Sequence, residues 1–416
     1  MTPARWSIAL ILLAACGGAT GSAGDRATAP LEPTVRDSAR VTIYEHPADA
    51  LERAPLITID STPLAVFAGD VDDPSKDVSA LMWPIFLGSG DLIGFDRQEY
   101  QILLLRVADE SRVRYGRRGA GPGELGFPSP LYLLPGDSLL FNDNSNDRIT
   151  IVHPDSGIVR TIARSSAAGL GRSSTLGRVG DSLYLLSVPG GEPAGLPSLG
   201  RTSFPRHLGT WRVGQDSVHE QFSVPGPWRV AVEVGHGAVA MYGLLFAAEP
   251  TVGQWGDGFV VAPADRWFLE QWGVDGQLRA SVRINSSATP VDDSLFERYV
   301  ETDASEMAEN FVKAGRTPNL DSIRASVRDR GHADNVAAYG RVHVTPNGTV
   351  WVTDYQMPGD TTWAATAIAS DGRILGRITA QPGEPPIAWG DDRVAFRSED
   401  DLGIATITIR ALHLPH

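Results

Sequence analysis

The chain has one cysteine, Cys16, in 416 residues, and a single thiol excludes any intramolecular disulfide. Basic surplus is missing too. Against 50 Asp and Glu stand 36 Lys and Arg, a formal net charge of −14, and phosphate binding needs a basic footprint that this balance does not provide, so no nucleic acid is expected as partner. The nine histidines are scattered with no His-x-x-x-His spacing, which removes the usual zinc signature. No G-x-S-x-G elbow occurs. Triads assemble from distant segments, so this absence leaves no nucleophile to nominate without excluding one. The apolar run Ile8 to Leu13 is too short to span a bilayer.

What is present begins with that run. Arg5 precedes it and the small-residue box Leu13-Ala14-Ala15-Cys16 ends it, so residues 1–15 look like a bacterial lipoprotein signal cut before Cys16. An ordinary signal peptide cut nearby is the alternative. In the lipoprotein reading Cys16 carries a diacylglyceryl anchor, which gives a use to a thiol that would be a liability in an exported protein. Residues 16–38 are small, polar and Pro-containing, the composition of a lipidated flexible tether. Gly17 rather than an acidic residue follows the cysteine, which implies the outer membrane or periplasmic side in a Gram-negative host.

From residue 39 to 416 short apolar or alternating runs are separated by Gly, Asp, Asn and Pro, the pattern of strands joined by tight turns. The stretches beginning at Ser89, Pro135, Val179, Trp255, Pro346 and Trp389 each place a Gly/Asp or Asn-Gly turn before an apolar strand. Asp91 to Asp137 spans 46 residues, Asp137 to Asp181 spans 44 and Gly348 to Asp391 spans 43. Four-stranded propeller blades repeat at about 40–50 residues. The spacing therefore predicts an all-β, six-bladed β-propeller, with a pair of β-sandwich domains as the alternative. Two longer intervals hold a Pro/Gly/Ser loop at 189–206 and a helical pattern at about 292–331, read as a small insertion between the fourth and fifth blades. Asp293 is the expected cap of the first helix and Asn319 or Asp321 of the second. Closure is expected where Ala39–His46 joins Gly403–Leu414 in the last blade.

Gly116 to Pro128, GRRGAGPGELGFP, is the densest cluster of backbone-bending residues. A phosphate loop is excluded because the Lys and Thr are missing, and no βαβ unit surrounds the glycines, so no nucleotide is expected. Pro-Gly recurs at Pro225 and Pro382, each after the outer strand of a proposed blade, so the stretch reads as a blade-to-blade corner with Gly123 at positive φ. GRRGAGPGEL between the first two blades is similar to the G-x-x-G-x-G-P-G-E-[FL] junction of the bacterial six-bladed NHL-like β-propeller proteins, many of them lipoproteins. The resemblance implies a fold more than an activity.

Candidate site residues are few. Asp96, Asp143 and Asp354 each end an inner apolar run and would recur near one rim of the central channel, either facing a ligand or accepting backbone N–H groups in the following turn. Arg112, Arg114, Arg117 and Arg118 form a basic strip; Arg117 and Arg118 are the anion-binding candidates, with Glu124 as an alternative partner. Trp228 is the candidate loop contact among tryptophans that otherwise wedge between blades. No cofactor is expected; the alternative is Ca²⁺ at the oxygen-rich stretches Asp70–Asp77 and Asn142–Arg148, although both lack the sixth-position Gly and twelfth-position Glu of a calcium loop. The function expected is a lipid-anchored extracytoplasmic propeller that binds or scaffolds a protein, peptide or glycan, with the membrane as partner through Cys16. The alternative is a metal-dependent propeller hydrolase or lyase with its site in the central channel.

Overall fold

The computed structural model describes residues 27–134, 136–163, 174–179, 183–189, 199–203, 205–212, 219–233 and 238–415. Cys16 and the leader lie outside them. The described chain is mostly β and contains many sheets. Five units of four strands follow one another, each a meander of mostly consecutive antiparallel strands. The first runs through Leu81–Phe86, Leu92–Asp96, Gln101–Leu105 and Arg112–Tyr115. The second spans Tyr132–Leu133 to Gly157–Ala163, the third Ser174–Val179 to His219–Val224, the fourth Thr251–Trp255 to Leu278–Ile284 and the fifth Val342–Val344 to Ile374–Pro382. A sixth sheet is made of Ala388–Trp389, Arg393–Glu399, Ala405–His413 and the early strand Thr58–Ala68. A separate three-stranded sheet joins Gly200–Ser203, Trp228–Glu233 and Val239–Gly243.

Four of the second strands are buried along their whole length: Leu92–Asp96, Leu139–Asp143, Gly258–Ala262 and Val350–Thr353. Both faces of each are covered by neighbouring sheets, which is why the sequence reads there as continuous apolar runs and not as alternation. Ile93, Phe95, Leu139 and Phe141 share the core between the first two sheets. Trp351, Trp363 and Trp389 fill that between the fifth and sixth, with Trp351 stacked on Trp389 at 4.3 Å. Phe67, Leu92 and Ile407 join the sixth sheet to the first, so the succession returns on itself. Stacked or edge-on aromatic pairs of this kind contribute about 0.5–1.5 kcal/mol beyond their burial.

The recurrent turns link the first and second strands of their sheets, and they also bond to one another. Asp137 Oδ1 in the turn of the second sheet accepts the Gly88 N–H at the turn of the first (2.8 Å), and Asp391 Oδ1 in the sixth accepts the Asn347 N–H in the fifth (3.3 Å). Arg393 of the sixth sheet donates to the Gly90 carbonyl of the first at 3.1 Å. The repeated Asp therefore stitches a turn to its neighbour as well as shaping its own.

Closure differs from the sequence expectation. Ala405–His413 pairs antiparallel with Thr58–Ala68, while Val41–His46 runs parallel beside Leu278–Ile284 of the fourth sheet. Thr58–Ala68 has a polar start, carries Pro63 and does not read as a strand. As an outermost strand it has one unpaired ladder side, where a missing N–H costs nothing, and register shifts on Ala405–His413 accommodate it. The stretch read as a tether is docked from residue 27 onward. Ala27 N–H bonds the Arg53 carbonyl, Leu31 bridges to Ile374, and Thr34–Ser38 pairs with Val41–Glu45 through a turn at Ala39 and Arg40, both at positive φ.

Two helices, Asp293–Lys313 and Leu320–Asp329, lie where the helical pattern was read. Asp292, one residue before the expected cap, accepts the Leu295 N–H at 2.7 Å, and Asn319 accepts that of Ser322 at 3.0 Å. Val300, Ala304, Ile323 and Val327 pack with Leu245 and Phe246 into a cluster of their own. No helix among the described residues is long and apolar enough to cross a membrane.

Candidate functional site

Where the leading strands of separate sheets face one another, a cavity of about 1180 Å³ opens. Its wall is built by Leu81–Ile85 of the first sheet, the start of Thr251–Trp255, residues 340–343 at the head of the fifth sheet and 384–387 at that of the sixth, together with the ends of two second strands at 353–356 and 397–399. Trp83 stands in this wall with φ at 49°, between residues whose pairing register slips and directly before Pro84. A non-glycine residue held there stores on the order of 1–3 kcal/mol of strain, and such strain clusters at functional sites. Phe127 meets the Trp83 ring edge-on at 6.1 Å.

The cavity carries both signs of charge, and most of it is internally matched. Asp354 accepts from Arg377 Nη1 at 3.0 Å, and the same nitrogen donates to Thr366 Oγ1 at 2.8 Å. Glu249 is held by Arg229 and lies 3.9 Å from Arg206. Arg397 bonds Glu399 at 2.6 Å. Arg341 differs: its backbone N–H is bonded to Thr353 Oγ1 (2.9 Å), but its side chain is exposed to the cavity and meets no carboxylate among the described residues. Two residues on, within the strand Val342–Val344 that Arg341 directly precedes, His343 lines the same wall. Burial, helped by the Arg341 charge, pushes its pKa down to about 4, so it is a neutral imidazole at physiological pH. Neither ring nitrogen has a hydrogen-bond partner among the described residues. The Trp389 ring lies behind it at 6.4 Å. Burial also raises the pKa of Tyr355, which lines the cavity and bonds Tyr299 on the long helix.

The three carboxylates singled out in the sequence meet different surroundings. Asp354 stands at the cavity with its side chain 43% exposed. Asp96 is buried, accepts the Gln98 and Glu99 N–H groups (3.0 and 3.1 Å) and pairs with Arg114 at 2.6 Å. Asp143 is fully buried; it accepts from the Gly126 N–H at 3.1 Å, from Asn146 at 2.8 Å and from Arg148 at 3.1 Å. Arg117 pairs with Glu124 at 2.9 Å, and Arg118 lies 4.7 Å over the Tyr100 ring. Trp228 is 52% exposed on the three-stranded sheet. Cys16 lies outside the described residues.

The loop Gly116 to Pro128 turns its polar backbone inward. Glu124 takes the Gly121 N–H at 2.8 Å, the Leu125 carbonyl takes that of Gly119, and Arg148 gathers the Ala120 carbonyl at 3.1 Å and that of Glu124. Gly123 has φ +75°. A Cβ on Gly126 would stand 2.6 Å from the Asp143 carboxylate, so only glycine brings that N–H so close. In the oxygen-rich stretches the groups are also engaged locally: Asp70 pairs with Lys76 at 2.9 Å and Asp73 accepts the Ser75 N–H. Among the described residues, no group of three or more His, Cys, Asp or Glu is placed to hold a metal ion.

Arg341, His343 and Trp83 are not among the sequence candidates, which mark the ends of second strands; Trp83 and His343 lie on leading strands and Arg341 directly before one. Their signal was weak but present: VHV and LMWPIF are leading strands that place a polar or bulky residue inward.

No protein-family model matches the sequence, and no curated protein matches it. Solved structures do. A member of the DUF4221 family from Bacteroides vulgatus is 10% identical over 86% of this chain and 99% of that one, with a TM-score of 0.48. A gluconolactonase from Xanthomonas campestris is 15% identical over 94% and 99%, TM-score 0.40. A virginiamycin B lyase from Staphylococcus aureus is 9% identical over 86% and 99%, TM-score 0.39. The likeness is too remote to carry an activity across.

Proposed function

We propose that this chain is a lipid-anchored, extracytoplasmic six-bladed β-propeller of the NHL-like type, with its helices inserted between the fourth and fifth blades, acting as a binding module for a peptide, protein or glycan. The observation that carries the binding role is the 1180 Å³ cavity, roomy, lined by both apolar and charged side chains and bordered by strands from separate sheets. Clefts where elements converge are where ligands are taken up. Its charged groups are mostly locked in pairs, which suits the fixed hydrogen bonding of recognition. Cys16 holds the module to the membrane, and the residues before Ala27 give it reach.

Two measurements test the reading. Cys16→Ala is expected to release the protein from the membrane fraction; unchanged fractionation overturns the anchor. Screening the purified protein against glycan and peptide arrays is expected to find a ligand competed by cavity substitutions, and an array with no binder of either class overturns the binding role.

A further inference from the structure

We infer that the cavity takes a short peptide with free ends and apolar side chains, its carboxylate on Arg341 and its amino group on Glu384; this rests on the binding role proposed above and names its ligand. The charges of the wall select it. Arg206, Glu249, Asp354, Arg397 and Glu399 each stand against a charge of opposite sign. Arg341 and Glu384 line the same cavity, are exposed, and pair with no opposite charge among the described residues. Arg341 directly precedes Val342–Val344 of the fifth sheet, and Glu384 lies just ahead of Ala388–Trp389 of the sixth. The two strands adjoin, with the His343 and Trp389 rings 6.4 Å apart. One free cation and one free anion on adjoining strands match a ligand that carries both charges. A guanidinium holds a carboxylate through two parallel hydrogen bonds, and a carboxylate accepts from an ammonium group.

The rest of the lining fits what joins the two ends of a peptide. Trp83, Pro84 and Ile85 of the first sheet, and Pro385, Pro386 and Ile387 directly after Glu384, present apolar surface to the cavity, and aliphatic side chains bury favourably against it. Val342 adds an amide partner. The Thr353 N–H bonds the Arg341 carbonyl and the Thr345 N–H bonds the Thr349 carbonyl, both at 2.9 Å, so this strand meets its neighbour through alternate residues. Val342 falls between them and turns its N–H and carbonyl to the side of the sheet where no strand is paired among the described residues. An extended peptide meets such an edge with its own amides. Other ligands leave part of the wall unmet. A neutral glycan answers neither free charge, and an alkyl carboxylate answers Arg341 alone. A single amino acid answers both but is small for 1180 Å³, since cavities of about 300–1000 Å³ already enclose drug-sized ligands.

The test is calorimetric titration of the full chain with trileucine, N-acetyl-trileucine, trileucine amide, triglycine and leucine. Trileucine is expected to bind, and each of the other four at least about tenfold more weakly. Arg341→Gln is expected to lower trileucine affinity about tenfold and to leave that of trileucine amide unchanged, because the amide lacks the carboxylate that Arg341 holds. Glu384→Gln is expected to do the same to trileucine while leaving N-acetyl-trileucine unchanged. Both variants should keep the parent melting temperature, since both side chains are exposed. Blocked peptides that bind as tightly as trileucine, or an Arg341→Gln loss as large for the amide as for the acid, overturn the assignment while the binding role stands. Leucine binding as tightly as trileucine overturns the peptide, and triglycine doing so overturns the apolar contacts. No binding of any probe overturns the peptide with free ends, and the array screen then decides the binding role separately.

Discussion

Asp143 ends and Asp354 directly follows the second strand of two sheets built alike, and each meets an arginine. Asp143 is sealed against the Gly116 to Pro128 loop, with no exposed surface and Arg148 only 14% exposed. Asp354 stands 43% exposed at the cavity with Arg377 behind it. One repeat position thus serves a joint in the first case and a binding wall in the second. The difference comes from what packs on the strand end: a loop that folds back covers Asp143, whereas the strand end at Asp354 opens onto the space between sheets.

The contrast is sharpest in stability. Asp143→Ala strips Arg148 of its buried partner and is expected to cost about 3–5 kcal/mol in denaturant unfolding. A cost near zero would mean the loop does not depend on the pair. Gly126→Ala probes the same joint from the other side, and the Cβ clash with the Asp143 carboxylate is expected to cost about 1–3 kcal/mol, read as a lowered unfolding midpoint. Asp354→Ala, at a solvent-screened pair, is expected to cost at most about 1 kcal/mol. Were it to match Asp143→Ala, the two regions would not differ as described.

pH separates the wall from the joint in a second way. His343, with a pKa pushed down to about 4 from 6.5, stays neutral in the fold while the unfolded chain takes up a proton. Its contribution is therefore complete above pH 6.5 and lost as the pH falls toward about 4. Burial lowers His46 as well, in the same direction. His343→Gln is expected to flatten the acid slope of the melting temperature without removing the part due to His46. An unaltered slope would mean that His343 is not held neutral. The smallest effect is expected for Arg341→Ala, within about 0.5 kcal/mol because the side chain is exposed and pairs with no carboxylate among the described residues; a larger loss of thermal stability would show that Arg341 is part of the scaffold.

Much of the architecture could be read along the chain. LIGFD, LLFND and VWVT announce buried strands because their apolar character is continuous, and the Gly/Asp turns before them are local chemistry that needs no tertiary partner. The helix caps came within one residue for the same reason. Thr58–Ala68 could not be read, since an outer strand with Pro63 and a polar start resembles a loop until a free sheet edge is there to receive it. Nor could the separate fates of the three aspartates, which share a sequence pattern and differ only in what covers them.

By itself, then, the sequence determined the strands, their turns, their spacing and the two helices, because these follow from short-range propensity and apolar periodicity. Tertiary structure alone decided which strand closes the last sheet, which carboxylates are sealed, and that Arg341 and His343 share a wall without a side-chain partner among the described residues. Those outcomes depend on which edges and charges remain free after every other segment has packed, and that is a property of the assembled sheets rather than of any segment in them.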